Sequence, residues 1–196
     1  MAKLLYQGHG SFRLTTGSGK VIYIDPFAGK GYDKPADLIL VTHQHHDHNK
    51  VNLPPRNAGC VIWQNTDALQ NGVYQTADLA DVHIEAVEAY NKNHDPKECV
   101  GYLITADGLL LYFAGDTSKT AQMETLAQRG IDYAFLPCDG IFNMGIDEAI
   151  ECAELIKAKH SVPVHMSPGK LFSEKKAKKF TASNALVIAP DIETTL

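Results

Sequence analysis

The chain has 196 residues with 23 acidic and 18 basic side chains, and its formal net charge is −5. Its length suits one domain of ordinary size, and a hydrophobic content of 44% supplies a substantial core. An acidic balance argues against a general nucleic-acid binder, because such proteins present a basic surface to the phosphate backbone. We therefore expect residues 1–196 to form a single domain that has no nucleic-acid partner.

The sequence lacks the features of a secreted or membrane protein. Its first residues contain no apolar signal segment, and no window approaches the ~18 apolar residues of a membrane span. The four cysteines form no C-x-x-C pair, which argues against a zinc ribbon and fits free thiols in a reducing compartment. These features predict a cytoplasmic protein that acts on a small molecule and has no membrane partner. Nothing in the sequence indicates an oligomeric state.

Short strands dominate the first half of the chain. Apolar runs rich in β-branched residues and bounded by Gly or Pro are typical of strands. A short helix with an Asn or Thr cap is predicted over residues 65–71. In chain order, the predicted strands are 3–7, 11–15, 21–25, 37–41, 60–63, 72–75 and 82–89.

The second half mixes strands with helices. Strands are predicted at 101–105 and 109–114 around the hairpin signal Asp107-Gly108, and then at 131–136, 161–165 and 185–188. Helices are predicted over 118–128, 146–159 and 169–180. The helix at 146–159 has the clearest pattern, because its apolar residues recur at i, i+3, i+4 and i+7. The strands of the first half and the mixture of strands and helices in the second half predict two sheets with helices outside them.

The most informative motif follows the apolar strand predicted at 37–41. His43, His45, Asp47 and His48 form the pattern H-x-H-x-D-H. Imidazole and carboxylate groups are the N and O ligands that zinc and similar divalent ions prefer. Chance clustering of solvated histidines is the alternative, but four potential ligands at this spacing after a strand favour metal binding. A loop at the end of a strand is also a common location for catalytic residues.

Further ligand candidates also lie at the ends of predicted strands. Asp116 follows the strand at 109–114 and could bind metal or cap a helix beginning near residue 118. His165 ends the strand at 161–165, and its alternative role is a hydrogen-bonded loop histidine. His94 lies in a polar loop after the strand at 82–89, where a solvated histidine is the alternative.

Metal ligands need oriented partners, and two residues near the N-terminus are candidates for that role. His9 lies in Gly8-His9-Gly10, and Asp25 ends the strand at 21–25. The loop after the strand at 131–136 contains Phe142 and Met144, which are predicted either to line the pocket or to pack in the core.

The motifs, in this order along the chain, resemble the metallo-β-lactamase superfamily. The resemblance rests on the H-x-H-x-D-H cluster, on Ala114-Gly115-Asp116-Thr117 and on Pro163-Val164-His165. Gly8-His9-Gly10-Ser11-Phe12 and Ile24-Asp25-Pro26-Phe27 are similar to the opening of a branch of small metal-dependent hydrolases that includes ascorbate-phosphate lactonase-like enzymes. This resemblance implies an α+β fold, a four-layer αββα sandwich of two mixed sheets flanked by helices.

The resemblance also implies two divalent metal ions at one edge of the sheets. By that pattern His43, His45 and a third histidine hold the first ion, and His94 is assigned as that third ligand. It departs from the commoner form of the family in its sequence context. Asp47, His48 and His165 hold the second ion, and Asp116 bridges the two.

Two ions about 3.5–4 Å apart can acidify a bridging water, which then attacks a carbonyl or phosphoryl centre. We expect a metal-dependent hydrolase that cleaves a small ester-like substrate, a lactone or a phosphodiester, with Asp47 as the catalytic residue that orients the hydroxide. Ligands without thiolate favour Zn and also suit Mn or Fe. The alternative is a metal-binding or sensory module without efficient catalysis.

Overall fold

A computed structural model describes the whole chain, residues 1–196, and contains two six-stranded sheets and a small hairpin. In chain order the strands are β1 (Lys3–Gly8), β2 (Ser11–Thr15), β3 (Val21–Ile24), β4 (Ala36–Val41), β5 (Arg56–Gln64), β6 (Leu69–Gln70), β7 (Val73–Tyr74), β8 (Thr76–Leu79), β9 (Val82–Glu88), β10 (Val100–Ala106), β11 (Leu109–Phe113), β12 (Tyr133–Pro137), β13 (His160–Val164) and β14 (Glu193–Thr195).

Each large sheet joins an antiparallel part to a parallel part. The first sheet has the order β14-β1-β2-β3-β4-β5, and its last two strand pairs are parallel. The second sheet has the order β13-β12-β11-β10-β9-β8, and its first two strand pairs are parallel. Parallel neighbours end at the same edge of a sheet, so loops that follow them lie close together.

The main hydrophobic core lies between the two sheets. Strand residues alternate between the two faces of a sheet, so every second residue points into this core. The fully buried residues facing one another there include Leu4, Tyr6, Phe12, Leu14, Ile22, Ile24, Leu38 and Leu40 from the first sheet and Ile84, Tyr102, Ile104, Leu111, Phe113 and Phe135 from the second. This alternation confirms a sandwich of two mixed sheets.

The helices are α1 (Asn65–Ala68), α2 (Met123–Leu126), α3 (Ile146–Ile156) and α4 (Glu174–Ala177), with a 3-10 turn at Ala127–Arg129. Helix α3 buries one face against the outer side of the second sheet, through Ala149, Cys152, Ala153 and Ile156. The outer side of the first sheet packs instead against loop residues, including Tyr32 and Val51. No helix in the structure is both long enough and apolar enough to traverse a lipid bilayer.

Several predicted elements differ from the structure. The helix predicted over 65–71 ends at Ala68, and the strand predicted at 72–75 is reduced to Val73–Tyr74. At three further places, distant backbone contacts replace the predicted local structure. Residues 118–122 are not helical: the amide of Ser118 donates to the carbonyl of Tyr90 and that of Lys119 to the carboxylate of Glu148. Helix α4 is much shorter than the predicted 169–180, since the backbone of Leu171 contacts the turn at His9. Residues 185–188 form only an isolated bridge, and the last strand is β14, which pairs with β1.

Candidate metal centre

The residues of the H-x-H-x-D-H motif lie in the loop that follows β4, at the edge where the parallel strands of both sheets end. Asp116 follows β11 by three residues, and His165 follows β13 directly. His94 reaches the same place from the loop between β9 and β10. The structure therefore brings together all seven residues assigned as ligands from the sequence: His43, His45, Asp47, His48, His94, Asp116 and His165.

The side chains form two clusters, and both have the spacing of metal ligands. In the first cluster, one ring nitrogen from each of His43, His45 and His94 lies within 4.8 Å of the others. His43 and His94 are buried, whereas His45 is exposed to the adjoining cavity. Asp47, His48 and His165 form the second cluster under the same limit of 4.8 Å, together with His9.

Asp116 lies between the clusters and contacts both. Its Oδ1 is 3.3 Å from Nε2 of His48, and its Oδ2 is 3.3 Å from Nε2 of His94 and 3.4 Å from Nε2 of His165. Two atoms bound tetrahedrally to one zinc ion at about 2.0–2.1 Å lie about 3.3–3.4 Å apart. The spacing of these donors therefore fits tetrahedral ligation, with Asp116 available to both clusters.

Unpaired ring nitrogens point to the same conclusion. Nε2 of His43, His48, His94 and His165 is buried and has no hydrogen-bond partner in the protein. A buried polar atom without a partner costs roughly 1–3 kcal/mol, so a group of four requires an explanation. A metal ion that accepts their lone pairs satisfies all of them, and the residues present fit divalent metal.

The opposite ring nitrogens are held by outer partners. Nδ1 of His43 contacts Oγ1 of Thr42 at 2.9 Å, and Nδ1 of His48 contacts Oδ2 of Asp25 at 2.8 Å. Asp25 also accepts hydrogen bonds from the amide and hydroxyl of Thr42, at 2.7 and 2.6 Å. A proton on Nδ1 leaves Nε2 free to bind metal, as is usual for ligating histidines. The sequence-based prediction of Asp25 as an orienting residue agrees with this geometry.

His9 contacts the second cluster through Asp47. Its Nε2 lies 3.0 Å from Oδ2 of Asp47, and its ring packs on that of His165 with centroids 3.6 Å apart. Burial opposes ionisation of Asp47, but the hydrogen bond from His9 and the charge of His48 outweigh it and lower the pKa of Asp47. Asp47 is therefore ionised and oriented at neutral pH.

Three of the nine non-glycine residues with positive φ lie at this edge. The φ angles of His9, Asp25 and His165 are +57°, +46° and +43°, in the left-handed region that non-glycine residues seldom adopt. Each strained residue costs about 1–3 kcal/mol and persists only where the surrounding structure holds it. Strain at three neighbouring residues of one site indicates a functional constraint.

The charges within the site depend on one another. Burial lowers the pKa of His43 to about 2, so this imidazole is neutral. Burial also disfavours the charged form of His48, but the carboxylates of Asp116 and Asp25 outweigh it and raise the pKa of His48 well above its usual value. A metal ion bound to His48 would therefore have to displace a proton, which would make metal affinity dependent on pH.

An open cavity of about 290 Å³ lies over both clusters and is lined by His45, His46, Asp47, Asn93, His94, Asp116, Phe142 and His165. A second cavity of about 700 Å³ adjoins it at His45 and His94 and has mainly polar walls. Phe142 is 49% exposed in the first cavity, whereas Met144 is 1% exposed in the core. Of the two roles considered for this loop, the geometry assigns pocket lining to Phe142 and packing to Met144.

Two residues that contact ligand candidates are not among those predicted from the sequence. Asp139 follows β12 at the same edge, and its Oδ2 lies 3.1 Å from Nδ1 of His165. Asp139, like Asp116, lies just past a strand, so the same sequence signal could have identified it. Asn91 contacts Nδ1 of His94 through Oδ1 at 2.9 Å. No sequence pattern distinguishes Asn91 from its polar neighbours.

Comparison with known proteins gives the class of this fold and site. Residues 3–165 match the family model described as a beta-lactamase superfamily domain. Igni18, a metallo hydrolase from the archaeon Ignicoccus hospitalis, superposes with a TM-score of 0.79 at 23% identity, over 98% of this chain and 97% of that chain. At this identity the superposition supports the fold alone.

Two relatives give the family more narrowly. A UPF0173 metal-dependent hydrolase from Geobacillus sp. (strain WCH70) is 35% identical, over 83% of this chain and 84% of that protein. One from Pyrococcus furiosus is 33% identical, over 96% of both. The chain belongs to the beta-lactamase superfamily and, within it, to the UPF0173 metal-dependent hydrolases.

Proposed function

We propose that this protein hydrolyses a small ester-like substrate, a lactone or a phosphodiester, with two divalent metal ions bound side by side. One observation carries the proposal: two clusters of donors share Asp116 beneath an open cavity of about 290 Å³. His43, His45 and His94 would hold the first ion, and Asp47, His48 and His165 would hold the second.

Bound metal ions of this kind supply Lewis acidity and bring the pKa of a water molecule towards neutrality. The protein's own residues orient the reactants. Asp47 is 23% exposed towards the cavity, and the contact with His9 fixes one of its oxygens. We assign Asp47 the role of orienting the nucleophilic water as well as holding metal. Placing a reactant in the correct geometry removes part of the entropic barrier to its attack.

Zinc is the ion that we propose. All donors are imidazole or carboxylate groups, which zinc prefers and which manganese and iron also accept. The two clusters contain no thiolate, so nothing in them favours a softer ion.

The walls of the cavities support a polar small molecule as the substrate. The larger cavity adjoining the clusters presents Gln44, Asn65, Thr66 and Lys97. The acidic net charge of −5 disfavours nucleic acid as a partner. We propose that neither nucleic acid nor a membrane is bound.

Two further proposals concern the chain as a whole. All four cysteines are free, which supports a reducing compartment such as the cytoplasm. The core between the sheets draws on residues from both halves of the chain, which supports a single domain over residues 1–196.

Metal content and turnover test the function together. We would measure metals per chain by plasma mass spectrometry on protein purified without a His tag. The same protein would be assayed with bis(p-nitrophenyl) phosphate and a simple γ-lactone, before chelation, after it and after zinc is restored. Two metals per chain and saturable turnover that is lost on chelation and restored by zinc are expected.

Other results would contradict the proposal in different ways. Two metals without saturable turnover of either substrate would favour the metal-binding module without efficient catalysis. A single metal per chain would argue against the shared site and against His94 as a ligand.

A further inference from the structure

We propose that Asn143 is a positioning residue that couples the two metal-binding clusters through a chain of side chains behind the ligands. This inference rests on the two-metal function proposed above. The chain runs from His94 of the first cluster through Asn91, Asn143 and Asp139 to His165 of the second.

The first half of the chain orients His94. Nδ1 of His94 lies 2.9 Å from Oδ1 of Asn91, and a proton on that nitrogen leaves Nε2 free for metal. Nδ2 of Asn91 donates to Oδ1 of Asn143 at 3.3 Å. The amide of Asn91 is therefore held at both ends, so it cannot rotate without losing a contact.

The second half orients His165. Nδ2 of Asn143 donates to Oδ2 of Asp139 at 2.9 Å, and the same oxygen lies 3.1 Å from Nδ1 of His165. The groups along the chain of side chains are complementary. Nδ1 of His94 lies beside the amide oxygen of Asn91, and Oδ2 of Asp139 accepts a hydrogen bond from Asn143 and makes an ion-pair contact with Nδ1 of His165. Both rings are left with Nε2 directed at Asp116.

Burial makes these contacts effective. Asn143 is 8% exposed and Asp139 is 3% exposed, so water does not replace the bonds between them. Backbone amides hold Asp139 in turn, since Oδ1 accepts from the amides of Ile141 and Phe142 at 2.6 and 2.7 Å. Asn143 contacts neither cluster directly. Within the chain of side chains, it is the only link between the loop of His94 and the loop after β12.

Cobalt(II) titration of the metal-free protein tests the coupling. Asn143→Leu keeps much of the side-chain volume and removes both links of the chain. We expect wild-type protein to bind two cobalt ions, and Asn143→Leu to bind both about tenfold more weakly, the lower end of the range for outer partners of metal ligands. The visible absorption of the saturated protein should also shift, because both histidines change orientation.

A matched control separates coupling from simple loop tethering. Asn93 joins the same two loops, since its Nδ2 donates to the carbonyl of Phe142 at 3.0 Å. Its side chain lines the open cavity but bonds neither to a ligand candidate nor to a residue of the chain of side chains. Asn93→Ala should leave both cobalt affinities and the spectrum unchanged. Circular dichroism of the metal-free proteins checks folding, and Asn143→Ser serves as a second variant if Asn143→Leu is unfolded.

The possible failures are distinguishable. Wild-type affinities and spectrum in folded Asn143 variants would overturn the coupling and leave the two-metal function intact. Equal weakening in the Asn143 and Asn93 variants would also overturn it, since tethering alone would explain the result. Fewer than two cobalt ions in wild-type protein would overturn the two-metal function and the coupling with it.

Discussion

Asp116 contacts both histidine clusters: Oδ2 lies beside His94 of the first and His165 of the second, and Oδ1 lies beside His48 of the second. It is 4% exposed, and burial by itself would disfavour its charge, but His48 and His165 outweigh this and hold its pKa well below the usual range. Divalent ions held by the neighbouring histidines would also supply positive charge to this buried carboxylate.

Asp47 offers the sharpest test among single residues. We expect Asp47→Ala to lower the turnover number at least 10²-fold while the fold is retained, because the residue is partly exposed and packs little. Turnover with bis(p-nitrophenyl) phosphate and far-ultraviolet circular dichroism measure the two effects. His83→Ala is a suitable control, since His83 lies on the surface beside Asp78, away from the site. Wild-type turnover in Asp47→Ala would remove the residue from the mechanism.

The loop between β12 and α3 has two functions at the scale of elements. Asp139 accepts hydrogen bonds from successive backbone amides and so fixes the turn, while Lys176 donates to the Asp139 carbonyl at 2.9 Å. This support holds Phe142 beside the cavity and directs Met144 into the core under α3. Neighbouring side chains of one loop therefore have separable roles.

Paired variants should separate these roles. Met144→Ala removes a buried side chain and should lower the free energy of unfolding by about 2–5 kcal/mol. Phe142→Ala should change it by less than about 0.5 kcal/mol and raise KM about tenfold, because an apolar wall of the cavity is lost. Urea unfolding and initial rates measure these quantities. An unchanged KM with lowered stability in Phe142→Ala would show that this residue packs rather than binds.

Asp132 joins three elements and should make stability depend on pH. Its Oδ2 accepts from the amide of Leu110 in β11 at 2.8 Å, and its Oδ1 lies 2.7 Å from Nζ of Lys159 after α3. Burial disfavours its charge, but the bonds from Lys159 and Leu110 outweigh this and lower its pKa. Because the pKa of Asp132 is lower in the folded state than in the unfolded state, its charge stabilises the protein at pH values above the unfolded pKa of about 3.9. This stabilisation is lost as pH falls below that pKa.

We therefore expect Asp132→Asn to destabilise the metal-free protein by up to about 1 kcal/mol at pH 6, since Lys159 is largely exposed. The difference from wild type should shrink as pH falls below about 4 and vanish when both states are protonated. Urea unfolding at a series of pH values measures it. A difference that stayed constant down to pH 2 would contradict the assignment of the effect to the carboxylate charge.

At the scale of the whole molecule, the site joins the two sheets. Ligands come from the loop after β4 in the first sheet and from the loops after β11 and β13 in the second. Metal ions bound by these residues would connect both layers at one edge. Metal binding is thus coupled to folding, because the unfolded chain does not bring these loops together.

Removing metal should lower thermal stability. Free zinc at about 1,000 times its dissociation constant adds about 4 kcal/mol to the stability of the folded state. For a chain of this length that amounts to a rise in thermal midpoint of about 8–16 °C. Differential scanning calorimetry with a chelator and with buffered zinc measures the rise. A midpoint that did not respond to zinc would show that the clusters do not bind it in the folded protein.

The local sequence pattern was sufficient to predict most of the strands and the H-x-H-x-D-H cluster. Alternating and continuous apolar runs identified β1 to β4 and β9 to β13 to within a few residues, and the periodicity of α3 identified the face that it buries. Patterns failed at residues 118–122 and 169–173, where polar backbone groups bond to distant loops. Propensity is a weak signal, and tertiary hydrogen bonds override it in segments without a strong apolar face.

The sequence by itself determined the chemistry available to this protein, because His43, His45, Asp47 and His48 are neighbours in the chain and no fold is needed to bring them together. Which distant residues lie beside them depends on the tertiary fold. From the sequence, His94, Asp116 and His165 could each be an ordinary loop or capping residue, and the fold brings His94 and His165 within 3.4 Å of Asp116. The chain of side chains from Asn91 through Asn143 and Asp139 to His165 depends on three separate loops meeting. Such contacts follow from packing, which local sequence does not encode.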